Sequence, residues 1–165
     1  MNIRVGHGYD IHPLREGEKL ILGGVEIEHE KGLGGHSDAD VVAHAVIDAL
    51  LGAAAMGDIG TLFPDEDPAY SNADSMGLLS SVMEKLKGDA WKVGNVDITV
   101  IAQRPKLAQH IPAMRAKLAS TLEVSLEQVS VKAKTNESFD AVGQEKAIAA
   151  HAVAILHRYV LFRNF

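Results

Sequence analysis

The chain contains no cysteine. That excludes disulfides and thiolate nucleophiles, and it removes the ligand that most often closes a structural zinc shell. No apolar run reaches the ~18 residues that a membrane span needs. The first residues, Met1-Asn2-Ile3-Arg4-Val5, run straight into a strand pattern, with no secretory signal in view. Positive charge is also scarce: Lys and Arg number 16 against 22 Asp and Glu, a formal net charge of −6. This balance argues against a nucleic-acid-binding face. It leaves anionic substrates open, because metals, local lysines and backbone N–H groups can hold phosphate. Linkers and internal repeats are missing as well. These absences predict a cytoplasmic protein (a plastid stroma fits equally) that binds neither nucleic acid nor membrane.

What remains is ordinary for a globular protein: 165 residues, 47% hydrophobic and 23% charged. The length predicts one domain over residues 1–165, with an apolar tail from about His157. Ile3, Val5 and Ile11 alternate as a strand around a glycine turn. Residues 19–28 predict a hairpin, with Gly23-Gly24 supplying the positive φ of a tight turn. Gly32 to Gly35 form a glycine-rich loop. Ser37-Asp38-Ala39-Asp40 has the form of a capping box with Ser37 as N-cap. Behind it Val41, Val42, Ala45, Val46, Ala49 and Leu50 recur at helical spacing. Asp74 caps a second helix carrying Leu78, Leu79, Val82, Met83 and Leu86, and Gly88 stops it. Residues 96–100 alternate as a strand, Ile111, Met114, Leu118 and Leu122 mark a third helix, and residues 129–133 form another strand. Ile148, Ala152, Ile155 and Tyr159 mark a final helix. The order β-β-β-α-α-β-α-β-α implies an α+β fold, a mixed β-sheet with helices layered on one face.

Asp10 and His12 sit two apart in a strand pattern, so both point to one face. With His44 from the first helix they make one carboxylate and two imidazoles, a set that leaves a coordination position open, as catalytic zinc sites do. A turn aspartate with a surface histidine is the plain alternative. Asp40, His44 and Asp48 share a helix face, which is either solvated or a ligand flanked by an orienting carboxylate. His36 follows two glycines in a loop able to move over a site. Ala102-Gln103-Arg104-Pro105-Lys106-Leu107-Ala108 leads from a strand into a helix, where free N–H groups suit phosphate or the edge of a base. Lys132-Ala133-Lys134-Thr135-Asn136-Glu137 offers ammonium, hydroxyl, amide and carboxylate in succession, either a polar turn or a grip for phosphate and Mg²⁺. His7, His29, His110, His151 and His157 acquire no role, and His151 and His157 are expected at the surface or an interface.

Taken together, these segments carry a resemblance. Gly6-His7-Gly8-Tyr9-Asp10-Ile11-His12, Gly35-His36-Ser37-Asp38-Ala39-Asp40-Val41-Val42-Ala43-His44, Met56-Gly57-Asp58-Ile59-Gly60, Phe63-Pro64-Asp65-Glu66-Asp67-Pro68, Ile101-Ala102-Gln103-Arg104-Pro105-Lys106 and Lys132-Ala133-Lys134-Thr135-Asn136-Glu137 stand in family order. Through them the chain resembles the 2-C-methyl-D-erythritol 2,4-cyclodiphosphate synthases of the non-mevalonate isoprenoid pathway. The resemblance implies a homotrimer with active sites between subunits. It implies Zn²⁺ or a similar divalent ion on Asp10, His12 and His44, and a second ion, Mg²⁺ or Mn²⁺, placed on the substrate diphosphate with help from Glu137. The implied substrate is cytidine diphosphate-linked, 4-diphosphocytidyl-2-C-methyl-D-erythritol 2-phosphate, cyclised with release of CMP.

His36, Ser37 and Thr135 match positions of phosphate contact and transition-state stabilisation, His36 and Thr135 being the catalytic pair. Asp10, Ile11 and His12, then Asp58, Ile59 and Gly60, and Phe63, Pro64, Asp65, Glu66 and Asp67 match the methylerythritol and phosphate end. Residues 102–108 with Lys134, Thr135, Asn136 and Glu137 match the cytidine and diphosphate walls. The chain departs from the family at Ala141-Val142-Gly143-Gln144, where an aromatic-x-Gly-Arg run is usual, and at Glu145-Lys146-Ala147 in place of Gly-Glu-Gly. An isoprenoid-binding cavity near the trimer axis is put in question there. A metal-dependent phosphoesterase and a non-catalytic isoprenoid- or metal-binding trimer are the competing readings.

Overall fold

The computed structural model describes residues 1–35, 37–64 and 73–158. His36, Asp65, Glu66, Asp67, Pro68 and the tail beyond Arg158 lie outside the described residues. The first strand, β1 (Asn2–Glu16), is continuous. The glycine turn expected near its start does not form. Gly6 and Gly8 serve packing instead: a Cβ on Gly6 would lie 1.9 Å from the Ala49 carbonyl oxygen, and one on Gly8 1.9 Å from that of Ala45. Both partners lie on α1 (Val41–Ala54), so only glycine lets this helix settle onto the strand.

The hairpin forms as expected, β2 (Leu20–Leu22) and β3 (Val25–Ile27), with positive φ at Gly23 and Gly24. The glycine-rich loop contains a short strand, β4 (Lys31–Leu33), paired antiparallel to the end of β1. After α1 come α2 (Ile59–Leu62), which carries no apolar periodicity to announce it, and α3 (Ser75–Gly88), capped by Asp74. β5 (Lys92–Ile101), α4 (Ile111–Leu122), β6 (Val129–Lys134) and the single-turn α5 (Asp140–Gly143) follow.

The chain continues into β7 (Ala147–Arg158), where a helix was expected. The residues at 148, 152 and 155 fit the four- and three-residue steps of a helix face, but the period that governs burial is two. Ile148, Ala150, Ala152, Ala154 and Leu156 are all fully buried on one face. β7 is central in the sheet, whose order is β4-β1-β7-β5-β6, and it runs antiparallel to both β1 and β5. Its small inward side chains leave room for α1, and two flanking ladders override the helical preference of alanine.

α1 packs on β1 and β7, α3 on α1 and α4, and α4 on β6. The helices therefore cover one face of the sheet. The opposite face is open and apolar along β1, where Ile3, Val5, Tyr9 and Ile11 are exposed, as is Val153 of β7. Among the described residues no helix is long and apolar enough to cross a membrane.

Candidate metal centre and active site

The even-numbered side chains of β1 face the helices. Gly6 lies under Ala49 and Ala53, and Gly8 under Ala45 and Ala49. Progress along β1 is thus progress toward the N-terminus of α1. The next even positions, Asp10 and His12, meet His44 in that helix's first turns. Asp10 Oδ2 lies 2.9 Å from His44 Nδ1 and 3.1 Å from His12 Nε2, and the two imidazole nitrogens are 3.2 Å apart. Ligand bonds of about 2.0–2.2 Å at tetrahedral angles set neighbouring donor atoms roughly 3.3–3.5 Å apart. The three atoms already form a triangle close to that size, so the donor set fits a divalent cation. It is the one such group of three among the described residues.

The electrostatics agree. Burial opposes the ionised form of Asp10, but the hydrogen bonds and charges of His12 and His44 outweigh it and hold the carboxyl well below the usual range. Burial also opposes a charged His44. The bond and charge of Asp10, with Asp40 and Asp38 behind it, outweigh that and raise its pKa. Carboxylates that favour a proton on His44 favour a metal cation in the same place.

His44 is oriented from behind, though not by Asp40 or Asp48. Its Nε2 lies 2.9 Å from Ser75 Oγ and 3.2 Å from Ser37 Oγ. Ser75 Oγ in turn donates to Asp38 Oδ1, and the Ser75 N–H donates to Asp38 Oδ2 at 3.1 Å. With its hydroxyl proton committed to Asp38, Ser75 accepts from Nε2–H, and the Nδ1 lone pair is left facing the centre. Asp40, not Ser37, is the N-cap of α1: it accepts from Val42 N and Ala43 N. The same buried carboxylate accepts from Gly23 N at 2.9 Å and Gly24 N at 2.6 Å, tying the hairpin to the helix. Burial raises the Asp40 pKa against those bonds. Asp48 accepts from Ile59 N at 2.8 Å and so anchors α2, and burial raises its pKa.

Ser75 was not singled out from the sequence, yet a signal existed. It falls on the stripe 75, 78, 79, 82, 83 and 86, as the one polar position on the buried face of α3.

A cavity of about 360 Å³ opens beside the centre. Of the expected residues, Asp10, His12, Ser37, His44, Ile59, Gly60 and Phe63 line it. Gly35, Asp48 and Leu78 line it too and were not expected. Gly35 must be small, since a Cβ there would stand 2.8 Å from the His12 ring. Asp58 caps α2, accepting from Thr61 N and Oγ1, both at 2.7 Å; these bonds lower its pKa. Pro64 is exposed, and Ile11 points to the opposite face of the sheet.

The remaining expected residues gather elsewhere. Ala102 N donates to Lys134 O at 2.9 Å, and Ser138 N to Gln103 Oε1 at 3.3 Å. Residues 102–108 and 134–137 are therefore one cluster. α4 begins only at Ile111, so the strand does not lead directly into a helix start, and the Ala102 N–H is already used. Thr135 Oγ1 donates to Glu137 Oε1 at 2.9 Å. Lys146 Nζ donates to Gln144 Oε1 at 2.9 Å, which sets a cation beside the position that departs from the family pattern. Ladder pairs connect Ile11 to Ala149, Ala149 to Ile101 and Ile101 to Lys134. At 4.7–4.9 Å per strand, the two clusters are about 14 Å apart across one end of the sheet.

A family model described as the YgbB family matches residues 3–157. The chain belongs to this family. It is 57% identical over 158 residues to a 2-C-methyl-D-erythritol 2,4-cyclodiphosphate synthase from Thioalkalivibrio sulfidiphilus, covering 96% of this chain and 99% of that protein. Among solved structures it is similar to the bifunctional IspDF of Campylobacter jejuni, with a TM-score of 0.92 and 40% identity. That match covers 96% of this chain but only 43% of the larger protein. It is also similar to IspF of Plasmodium falciparum in complex with CDP, with a TM-score of 0.84 and 36% identity over 96% of this chain and 98% of that one. The activity that goes with the family is cyclodiphosphate synthesis in isoprenoid formation, a phosphorus–oxygen lyase reaction.

Proposed function

We propose that this chain converts 4-diphosphocytidyl-2-C-methyl-D-erythritol 2-phosphate into 2-C-methyl-D-erythritol 2,4-cyclodiphosphate and CMP. The observation that carries the reading is the Asp10–His12–His44 triangle, open to a cavity, in a member of this family. An oxygen of the 2-phosphate bonds to the β-phosphorus, the bond from that phosphorus to the bridging oxygen breaks, and the electron pair leaves on CMP. No side-chain nucleophile is required, because the substrate brings its own. A zinc ion on the triangle would neutralise phosphate charge that a chain of net charge −6 cannot relieve by its own field. Asp10, His12 and His44 fix where that charge sits, and Ser75 with Asp38 fixes the tautomer of His44. Ser37 and His36 contact the attacking phosphate, and Ile59, Gly60 and Phe63 wall the methylerythritol. Residues 102–108 and 134–137 receive the cytidine and diphosphate, with Glu137 set to hold Mg²⁺ or Mn²⁺ there. CDP, present in the Plasmodium falciparum complex, carries the same cytidine and diphosphate groups.

The active unit is a homotrimer whose sites lie between subunits. Two features support this. The two clusters of one chain are too far apart to serve one diphosphate closely, and the outer sheet face is apolar, with Ile3 55% and Val5 65% exposed. The decisive assay supplies apo-protein with the cytidyl substrate and adds Zn²⁺ and Mn²⁺ separately and together. Cyclic diphosphate plus CMP is expected, and inorganic phosphate instead would point to a phosphoesterase. Inactive His12→Ala and Thr135→Ala proteins, dissociated and reassembled together, should regain partial activity. Full activity from a monomer in light scattering would refute the shared site.

A further inference from the structure

Strand β1 carries histidines on both faces. On the inner face His12 Nε2 meets His44 Nδ1 at 3.2 Å. On the outer face His7 Nε2 meets His151 Nδ1 at 3.1 Å. The second pair therefore repeats the donor types and the spacing of the first. We infer that His7 and His151 form a second cation site, a two-imidazole chelate for zinc or a similar borderline metal on the outer face of the sheet.

The position is preorganised by the backbone. Tyr9 is the ladder partner of His151, and Val153 is the ladder partner of His7, so the two histidines are diagonal neighbours on adjacent antiparallel strands. The Tyr9 ring packs on His151 with centroids 4.8 Å apart, which restrains that ring. β7 is central in the sheet and β1 is paired to it from Asn2 to Pro13, and rigid elements hold ligands better than loops do. Neither imidazole forms an ion pair with a described carboxylate; their contact is with one another. In two neutral rings one nitrogen donates its N–H to the other; with the proton on each ring's remote nitrogen instead, two lone-pair nitrogens stand 3.1 Å apart, a spacing that suits two ligands of one metal of intermediate softness. Two ligands leave the other coordination positions for water or for the same pair on another copy of the chain. The first centre has a carboxylate and a hydroxyl relay behind it; this site has neither, so it binds more weakly and does no chemistry on substrate.

The test uses the full chain with one zinc already bound, in equilibrium dialysis against rising free Zn²⁺. A second zinc per chain is expected. Long-range ¹H–¹⁵N spectra should show the His7 Nε2 and His151 Nδ1 resonances shifting together as it binds. His7→Gln and His151→Gln should each weaken the second equivalent at least tenfold, while the first equivalent and the melting temperature hold. A second equivalent bound equally by wild type and both variants, with other histidines as its ligands, overturns the inference. So does the absence of any second equivalent. The comparison of the two pairs rests on the metal reading of the inner centre. That reading fails separately, by loss of the first equivalent from the wild-type protein.

Discussion

Two clusters lie at the same end of one sheet and are built on opposite plans. The Asp10–His12–His44 cluster is packed from all sides: a helix sunk onto two glycines, a buried carboxylate at the helix start, and a serine–aspartate relay behind one ligand. The cluster at the ends of β5 and β6 opens to solvent through its charged side chains, Arg104, Lys106, Lys134 and Glu137 being exposed, and Glu137, Ser138 and Asp140 all take positive φ without being glycine. Asp140 ties the turn together locally, accepting from Val142 N at 2.8 Å and from Asn136 Nδ2 at 2.5 Å. The difference separates two ways of making a site. A cation centre needs fixed donor geometry and obtains it from the core. In the proposed function the open cluster would be a wall for a large anionic substrate, completed when substrate and a neighbour in the trimer arrive.

The comparison breaks first where the core is struck. Gly8→Val forces a side chain against the Ala45 carbonyl, which cannot give because it belongs to α1. The expected cost is about 3 kcal/mol or more, at or beyond the upper end for overpacking. Chemical denaturation should show it, with loss of metal binding as a consequence. A stable Gly8→Val protein would mean that α1 is not seated by that contact.

His44→Ala acts on the centre alone. It removes one of three ligands and should abolish tight zinc binding while leaving a folded protein. One zinc per chain retained by elemental analysis, with activity intact, would refute the ligand assignment. Ser75→Ala should leave all three ligands in place and lower zinc affinity by roughly 10–100-fold, the usual effect of losing an orienting partner. Competition with a chelator measures this, and an unchanged affinity would make Ser75 a packing residue only.

The open cluster yields smaller effects. Glu137→Ala should slow turnover by more than tenfold at saturating Mn²⁺ with little change in melting temperature. Gln144→Ala should cost less than tenfold, or about 1.4 kcal/mol in transition-state stabilisation. Lys146, bonded to Gln144, is the cation left in that loop. Steady-state kinetics on both variants sharpens the contrast, and a more damaging Gln144→Ala would mean that the substrate is gripped differently there.

Much of this was legible in the chain itself. The Asp10-x-His12 spacing, the Gly23-Gly24 turn and the Asp74 cap are local facts, and each kept its meaning in three dimensions. So did the helices at 41, 75 and 111, because their apolar stripes are set by nearest neighbours on the same element. The motif set likewise identified the family before any contact was known.

Tertiary structure decided the rest. β7 reads as a helix by the spacing of Ile148, Ala152 and Ile155 and becomes a strand because two ladders and the underside of α1 claim it. Gly6 and Gly8 read as a turn and instead serve close packing, since the atoms they make room for lie some forty residues away. Asp40 reads as the second half of a capping box, but it is the cap itself, drawn inward by the hairpin N–H groups of Gly23 and Gly24. Ser75 becomes the partner of His44 only when α3 lies against α1. In each case the deciding partner is distant in sequence. Periodicity and spacing report what a segment prefers alone, whereas burial and hydrogen-bond satisfaction are settled by what arrives beside it.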